Sequence, residues 1–202
     1  MINKSSTFAK ALSLIDAANS EDPNRETSDG REWPKELLYS ERMSDMLHRF
    51  APDADEAVQL AIRAQHIERW KTPRNSYPEG RIGYLKWRKD LYGIQAATAA
   101  EYLRQAVCPE DVIDRVSNMI AKKNLKASSD TQLLEDISAL VFLEHYMLDF
   151  YTRHPDYDEE KWTGIIQKTW KKMSDDAHEF VLCGKLRLPE MLTKIVHKAL
   201  SN

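Results

Sequence analysis

The sequence predicts an all-α fold, a single-domain bundle of about eight helices. Glycine supplies only 6 of 202 residues, about 3% against the ~7% of average proteins. Apolar residues recur at the 3.6-residue helical period along most of the chain, with no alternating strand pattern between them. Breaks between the periodic segments are short and evenly spread, so residues 1–202 read as one domain.

The first helix covers residues 7–18, with Phe8, Ala11, Leu12 and Ile15 on one stripe. The polar run 19–24, which contains Pro23, ends it, and a polar loop continues to Trp33. Pro34 stands where prolines open helices. The helix after it runs to about Phe50 with Leu38, Met43, Met46, Leu47 and Phe50 on one side. Asp53 and Glu56 read as a capping box for a third helix. Its Val58, Leu60, Ala61, Ile62 and Ala64 mark it as central. Residues 71–80 form a loop that Pro73 and Pro78 keep out of helix. A fourth helix covers 82–107 and is broken at Cys108-Pro109. Pro109 opens a fifth helix, which reaches Lys123. Ser129 or Asp130 caps a sixth that runs to about Arg153, striped by Leu133, Ile137, Leu140, Val141, Met147, Leu148 and Tyr151. Residues 158–173 and 189–200 are the last long helices, with a shorter piece at 176–182.

Several classes of protein are excluded. The most apolar run, 137–143, is interrupted by Ser138 and falls far short of the ~20 apolar residues of a membrane span. The first residues hold no long apolar stretch, which argues against a secretory signal. Cys108 and Cys183 make neither a disulfide framework nor a zinc motif, so the expected compartment is the cytoplasm. No phosphate-cradling glycine loop, nucleophile elbow or metalloprotease motif is present. The run Lys172-Met173-Ser174 resembles a signature of class I aminoacyl-tRNA synthetases. That signature works beside a nucleotide-binding α/β domain, for which this glycine-poor chain has no sequence, so synthetase activity is not expected.

Charge is unevenly spread. Between Arg63 and Lys89 stand eight bases and two acids, a local +6 that leaves −9 for the rest of a chain of net −3. A basic island in an acidic protein suggests a local anion site; the plain alternative is a solvated basic helix face. The same stretch holds Gln65, His66, Arg69, Trp70, Arg74, Tyr77, Arg81, Tyr84, Trp87 and Arg88. Arginine forks bind phosphate or carboxylate bidentately, and aromatic planes stack on rings and cations. Tyr39 and Arg42 share a face of the second helix. Glu135 and Asp136 stand beside the apolar stripe of the sixth, with Lys122 a candidate partner. Taken singly, each has an ordinary structural explanation, a core-edge tyrosine or a hydrogen-bonded core histidine among them.

Two resemblances follow from these residues. The runs 39–43, 61–69 and 134–140 are similar to the three motifs of HD-domain phosphohydrolases. Tyr39 and Gln65 stand at histidine positions of those motifs, His66 stands for an aspartate, and Asp136 alone keeps a ligand residue. The resemblance implies an HD-like core over roughly 34–153, with the C-terminal helices 158–202 packed on it. Since Gln and Tyr are poor ligands for divalent ions, it implies a degenerate metal site. Through nearly the whole chain, the phrases at 16–24, 34–43, 63–78, 83–88, 134–136 and 168–173 resemble an uncharacterised domain-of-unknown-function family, number four-two-zero-two. That family implies an all-helical fold and no established activity.

The expected function is binding of a small phosphorylated or carboxylated molecule, a nucleotide among the candidates, in a polar pocket. His66 and Asp136 would be its acid–base pair, and the carboxylate would raise the imidazole pKa unless burial offset it. Tyr39, Arg42, Gln65, Arg69, Trp70, Arg74, Tyr77, Arg81, Tyr84, Trp87, Arg88, Lys122 and Glu135 would line it. No tightly held metal or cofactor is expected, at most one weak divalent ion at His66 and Asp136. The alternatives are a rearranged metal-dependent phosphohydrolase using His66, Glu135, Asp136 and Glu41, a tRNA or other nucleic-acid module, and a partner-binding protein without a pocket.

Overall fold

The computed structural model describes residues 6–123 and 127–200, the side chains of 197, 199 and 200 aside. Its chain packing divides into two compact units, Met1–Leu134 and Glu135–Asn202, with the division inside a helix.

The first unit is built on α1 (Ser6–Ser20), α2 (Lys35–Phe50), α3 (Glu56–Ala64), α4 (Gly80–Gln105), α5 (Glu110–Ile120) and the start of α6 (Ser129–Val141). α3 is its centre, packing against α1, α2 and α5. Every α3 residue from Ala57 to Ala64 except Gln59 is buried; the small Ala57, Ala61 and Ala64 leave room for neighbouring helices to approach closely. α5 closes the other side against α3 and α4 through Ile113, Val116, Met119 and Ile120. Arg63 is the one buried charge of α3. Its guanidinium is held by Asp16 (2.6 Å), Glu41 and the Ser44 hydroxyl (3.2 Å).

Two sequence expectations change here. The polar loop before Trp33 contains a hairpin, β1 (Arg25–Ser28) paired antiparallel to β2 (Arg31–Pro34). Asp29 and Gly30 both have positive φ, 51° and 72°, the two-residue turn that matches strand twist. The cap of α3 is Asp55 rather than Asp53: its carboxylate accepts from the Val58 backbone N–H. Asp53 stands too early, since the first turn begins at Glu56.

The second unit carries the rest of α6, then a π-helical turn at Phe142–Tyr146, α7 (Met147–Arg153), α8 (Glu159–Trp170), α9 (Asp175–Leu182) and α10 (Glu190–Leu200). The expected single helix to Arg153 is therefore split by one wide turn. Ten α-helices are present among the described residues, against about eight expected. α8 and α10 pack together, and Trp162 anchors an aromatic cluster with Phe150, Tyr151 and Tyr157. Among the described residues no helix is long and apolar enough to cross a membrane.

Candidate anion site

The site begins with a buried aspartate. Asp22 is fully buried, and its carboxylate accepts from the backbone N–H of Asn24 (2.9 Å) and of Glu36 (3.0 Å). Pro34, at the head of α2, has no side chain to cap the helix, so Asp22 supplies the acceptor that an N-cap residue usually gives. This fixes the first turn of α2 and with it Glu36, whose side chain turns inward. Glu36, Ser40, Met43 and Leu47 form one buried stripe.

The far wall is the turn after α3. Gln65 ends the helix and Glu68 has φ 50°, a left-handed conformation that is costly for a residue with a Cβ. Three contacts hold it there. The Glu68 N–H donates to the Asn19 carboxamide (3.2 Å), and its carboxylate takes the Tyr102 hydroxyl (2.9 Å) and Lys71 (2.7 Å). Between these fixed points His66 faces α2. Its ring stacks on Tyr39 at 4.0 Å, and the Tyr39 hydroxyl donates to the Gln65 carboxamide at 3.0 Å.

The Arg69 hydrogen bond determines the tautomer of His66. Arg69 Nη1 lies 2.7 Å from Nε2. A guanidinium only donates, so Nε2 carries the lone pair and the proton of the neutral ring is on Nδ1. That atom faces Glu36 Oε2 at 3.3 Å. Burial, then the charges of Arg69, Lys122, Arg88 and Lys35, hold the imidazole pKa well below its usual value. The expected upward shift is thereby reversed: desolvation and four cations outweigh one carboxyl group. Burial likewise pushes Glu36 up, from the usual 4.5 to about 7, against the opposing pull of Arg69 and Lys35.

α4 supplies Arg88 and the aromatic supports of the cations, Tyr84, Trp87 and Tyr92. The Arg69 guanidinium lies 4.9 Å from the Trp87 ring, and the Trp87 indole donates to the Thr72 carbonyl at 2.9 Å. Arg88 donates to the Tyr92 hydroxyl at 2.7 Å and lies over the Tyr84 and Tyr92 rings. The Lys122 ammonium lies 5.2 Å from the Tyr92 ring. Neither Arg69 nor Arg88 makes an ion pair with a carboxylate among the described residues.

Of the residues singled out in the sequence, the structure brings together Tyr39, Gln65, His66, Arg69, Tyr84, Trp87, Arg88 and Lys122. Others are engaged elsewhere. Arg42 pairs with Glu26 of the hairpin. Arg74 staples its own loop, donating to the carbonyls of Tyr77 (3.1 Å), Pro78 (2.9 Å) and Gly80 (3.3 Å). Tyr77 lies beside Asp90. Trp70 is half-buried in a 3-10 turn, and Arg81 is exposed at the head of α4. In the second unit, the Asp136 oxygens accept from the Ser174 N–H (2.8 Å) and hydroxyl (2.7 Å), and Glu135 pairs with Lys172 at 3.8 Å. The Lys172-Met173-Ser174 run thus has a local role, with Met173 buried and Ser174 capping α9. No three His, Cys, Asp or Glu residues come together as a metal-ion set among the described residues.

Sequence reasoning missed Glu36, the carboxyl that faces His66. The signal was an acid in phase with the apolar stripe of α2, seven residues before Met43. It also missed Tyr92, one turn after Arg88.

A family model for a domain of unknown function, DUF4202, matches residues 9–196. The chain belongs to that family. No curated protein and no solved structure matches it. The DUF4202 match spans both compact units and includes Glu36, His66, Arg69 and Arg88.

Proposed function

We propose that this protein binds a small phosphorylated or carboxylated molecule at the cluster of His66, Arg69 and Arg88. One observation carries it: two half-buried guanidiniums rest on aromatic faces beside a neutral histidine, and neither forms an ion pair with a carboxylate among the described residues. Charge left uncompensated at a partly buried site is costly, and an anionic ligand offsets that cost. The Trp87 and Tyr84 rings would flank the bound group, and Tyr39 with Gln65 would hold the His66 ring from behind.

Metabolites and inorganic anions screened against melting temperature test the reading. A ligand at 100 times its Kd stabilises by ~2.7 kcal/mol. Arg88→Lys keeps the charge and loses the fork, so affinity for the ligand found should fall about tenfold. A ligand bound equally well by wild type, Arg69→Lys and Arg88→Lys would refute the site.

A further inference from the structure

Glu36, His66 and Arg69 form a chain of polar contacts, 3.3 Å from Glu36 to His66 and 2.7 Å from His66 to Arg69, that ends on a half-buried cation of the site. Its three members have different freedoms. Glu36 is buried and fixed by the Asp22 cap on its own backbone. His66 is clamped between the Tyr39 ring and the turn after α3. Arg69 is held by one hydrogen bond to Nε2 and by the Trp87 face, and its guanidinium alone can swing without unfolding a helix. A neutral imidazole nitrogen is a weaker acceptor for a guanidinium than an anionic oxygen.

Resting on the proposed anion site, we infer that the recognised group is a phosphate, which takes the Arg69 guanidinium from His66 and binds together with a proton accepted by the Glu36–His66 pair. The charges decide the class. Arg69, Arg88, Lys122 and Lys35 all bear on the imidazole. A monoanionic carboxylate balances one of the two guanidiniums, Arg69 and Arg88, whereas a dianionic phosphate meets both arginine forks at once. The proton follows from the same geometry. Once Arg69 leaves Nε2, the lone pair faces a dianion, and the Glu36 carboxyl lies behind Nδ1 to balance an imidazolium. The charged groups facing the pair are Lys35 of α2, Arg69 of the turn, Arg88 of α4 and Lys122 after α5, while Asp22 faces the Glu36 backbone. Every side-chain charge that opposes protonation of the pair is therefore a cation, the kind of charge a dianion screens. Near pH 7, where Glu36 is about half protonated, the pair has room for about half a proton.

Sulfate is the probe, since it is dianionic throughout the neutral range and contributes no proton of its own; acetate is the comparator. Calorimetric titration at pH 7 in two buffers of different ionisation enthalpy reads affinity and proton uptake together. Sulfate should bind at least about tenfold tighter than acetate, with uptake of up to about half a proton. In Glu36→Gln the affinity should hold or tighten and the uptake should fall below about a tenth. Should that variant fail to fold, wild type carries the test, because uptake must shrink towards zero at pH 5.5, where the pair already holds its proton. Sulfate binding with no uptake, or with uptake unchanged in Glu36→Gln, overturns the inference and leaves the anion site standing. Acetate binding as tightly as sulfate overturns the phosphate assignment. Absence of binding by both anions and by inorganic phosphate overturns the anion site itself.

Discussion

Replacing Glu36 by Gln should change how stability depends on pH, because the fold holds a proton there that the unfolded chain gives up. Glu36 is 7% exposed, and burial raises its pKa from 4.5 to about 7. A raised acid pKa means the native state binds more protons than the unfolded one between those values. Stability therefore falls as pH rises from about 4.5 through 7, and levels off above. A shift of that size corresponds to about 3 kcal/mol in all. At pH 5 roughly a quarter of it has been lost already, so about 2.5 kcal/mol should disappear between pH 5 and pH 8. His66 acts with the opposite sign. Its lowered pKa makes the native state refuse a proton that the unfolded chain accepts, so its contribution falls as pH drops below about 6.5. Comparison of the two proteins at each pH separates these effects. The carboxamide of the Glu36→Gln variant keeps the shape and an acceptor for the Nδ1 proton, cannot ionise, and leaves His66 in place. Urea unfolding at pH 5, 6, 7 and 8 should show Glu36→Gln gaining on wild type by about 2.5 kcal/mol over the series. In melting temperature this is about 5–10 °C for a chain of this size. A gap between the two proteins constant to within ~0.5 kcal/mol from pH 5 to 8 would refute a buried, proton-holding Glu36.

Other substitutions read the supports of the site. Arg63→Met leaves Asp16 and Glu41 without their cation; because those side chains are 35% and 48% exposed, the cost in urea should be about 2 kcal/mol, below that of a fully buried pair. Gly83→Ala puts a Cβ 1.8 Å from the Pro78 carbonyl oxygen and should destabilise by about 1–3 kcal/mol. Gly93→Ala, on the same helix with open space around it, should stabilise by about 0.5–1 kcal/mol; equal effects at the two glycines in thermal melts would contradict the packing of the loop 71–80 on α4. Asp136→Asn removes an acceptor of the Ser174 pair and should lower stability by about 1–2 kcal/mol, measurable by thermal melting.

The all-helical class was legible because it depends on short-range periodicity. Phe8, Ala11 and Ile15, or Ile113, Val116 and Ile120, announce their buried faces at helical spacing whatever they pack against. The hairpin was equally local, written in Asp29-Gly30, a dipeptide that strongly marks a two-residue turn; the polar strands around it carry no apolar alternation, so the stretch reads as loop. The π turn at Phe142–Tyr146 has no such mark, because an extra residue in one turn is chosen by what the side chains meet.

Within the site, composition and spacing placed His66, Arg69, Trp87 and Arg88 in one basic, aromatic stretch, and Tyr39 one helix away. They could not say which carboxyl faces the imidazole. Glu36 precedes His66 by 30 residues and reads as an ordinary first-turn acid, favourable beside the helix dipole in water. Nor could they distinguish Arg74, which spends its donors on loop carbonyls, from Arg69 and Arg88, which rest on rings. The residue types were fixed by the chain. Desolvation and the distances between charges are properties of three-dimensional packing, and they raised the pKa of one carboxyl, lowered that of one histidine and seated two arginines on aromatic rings.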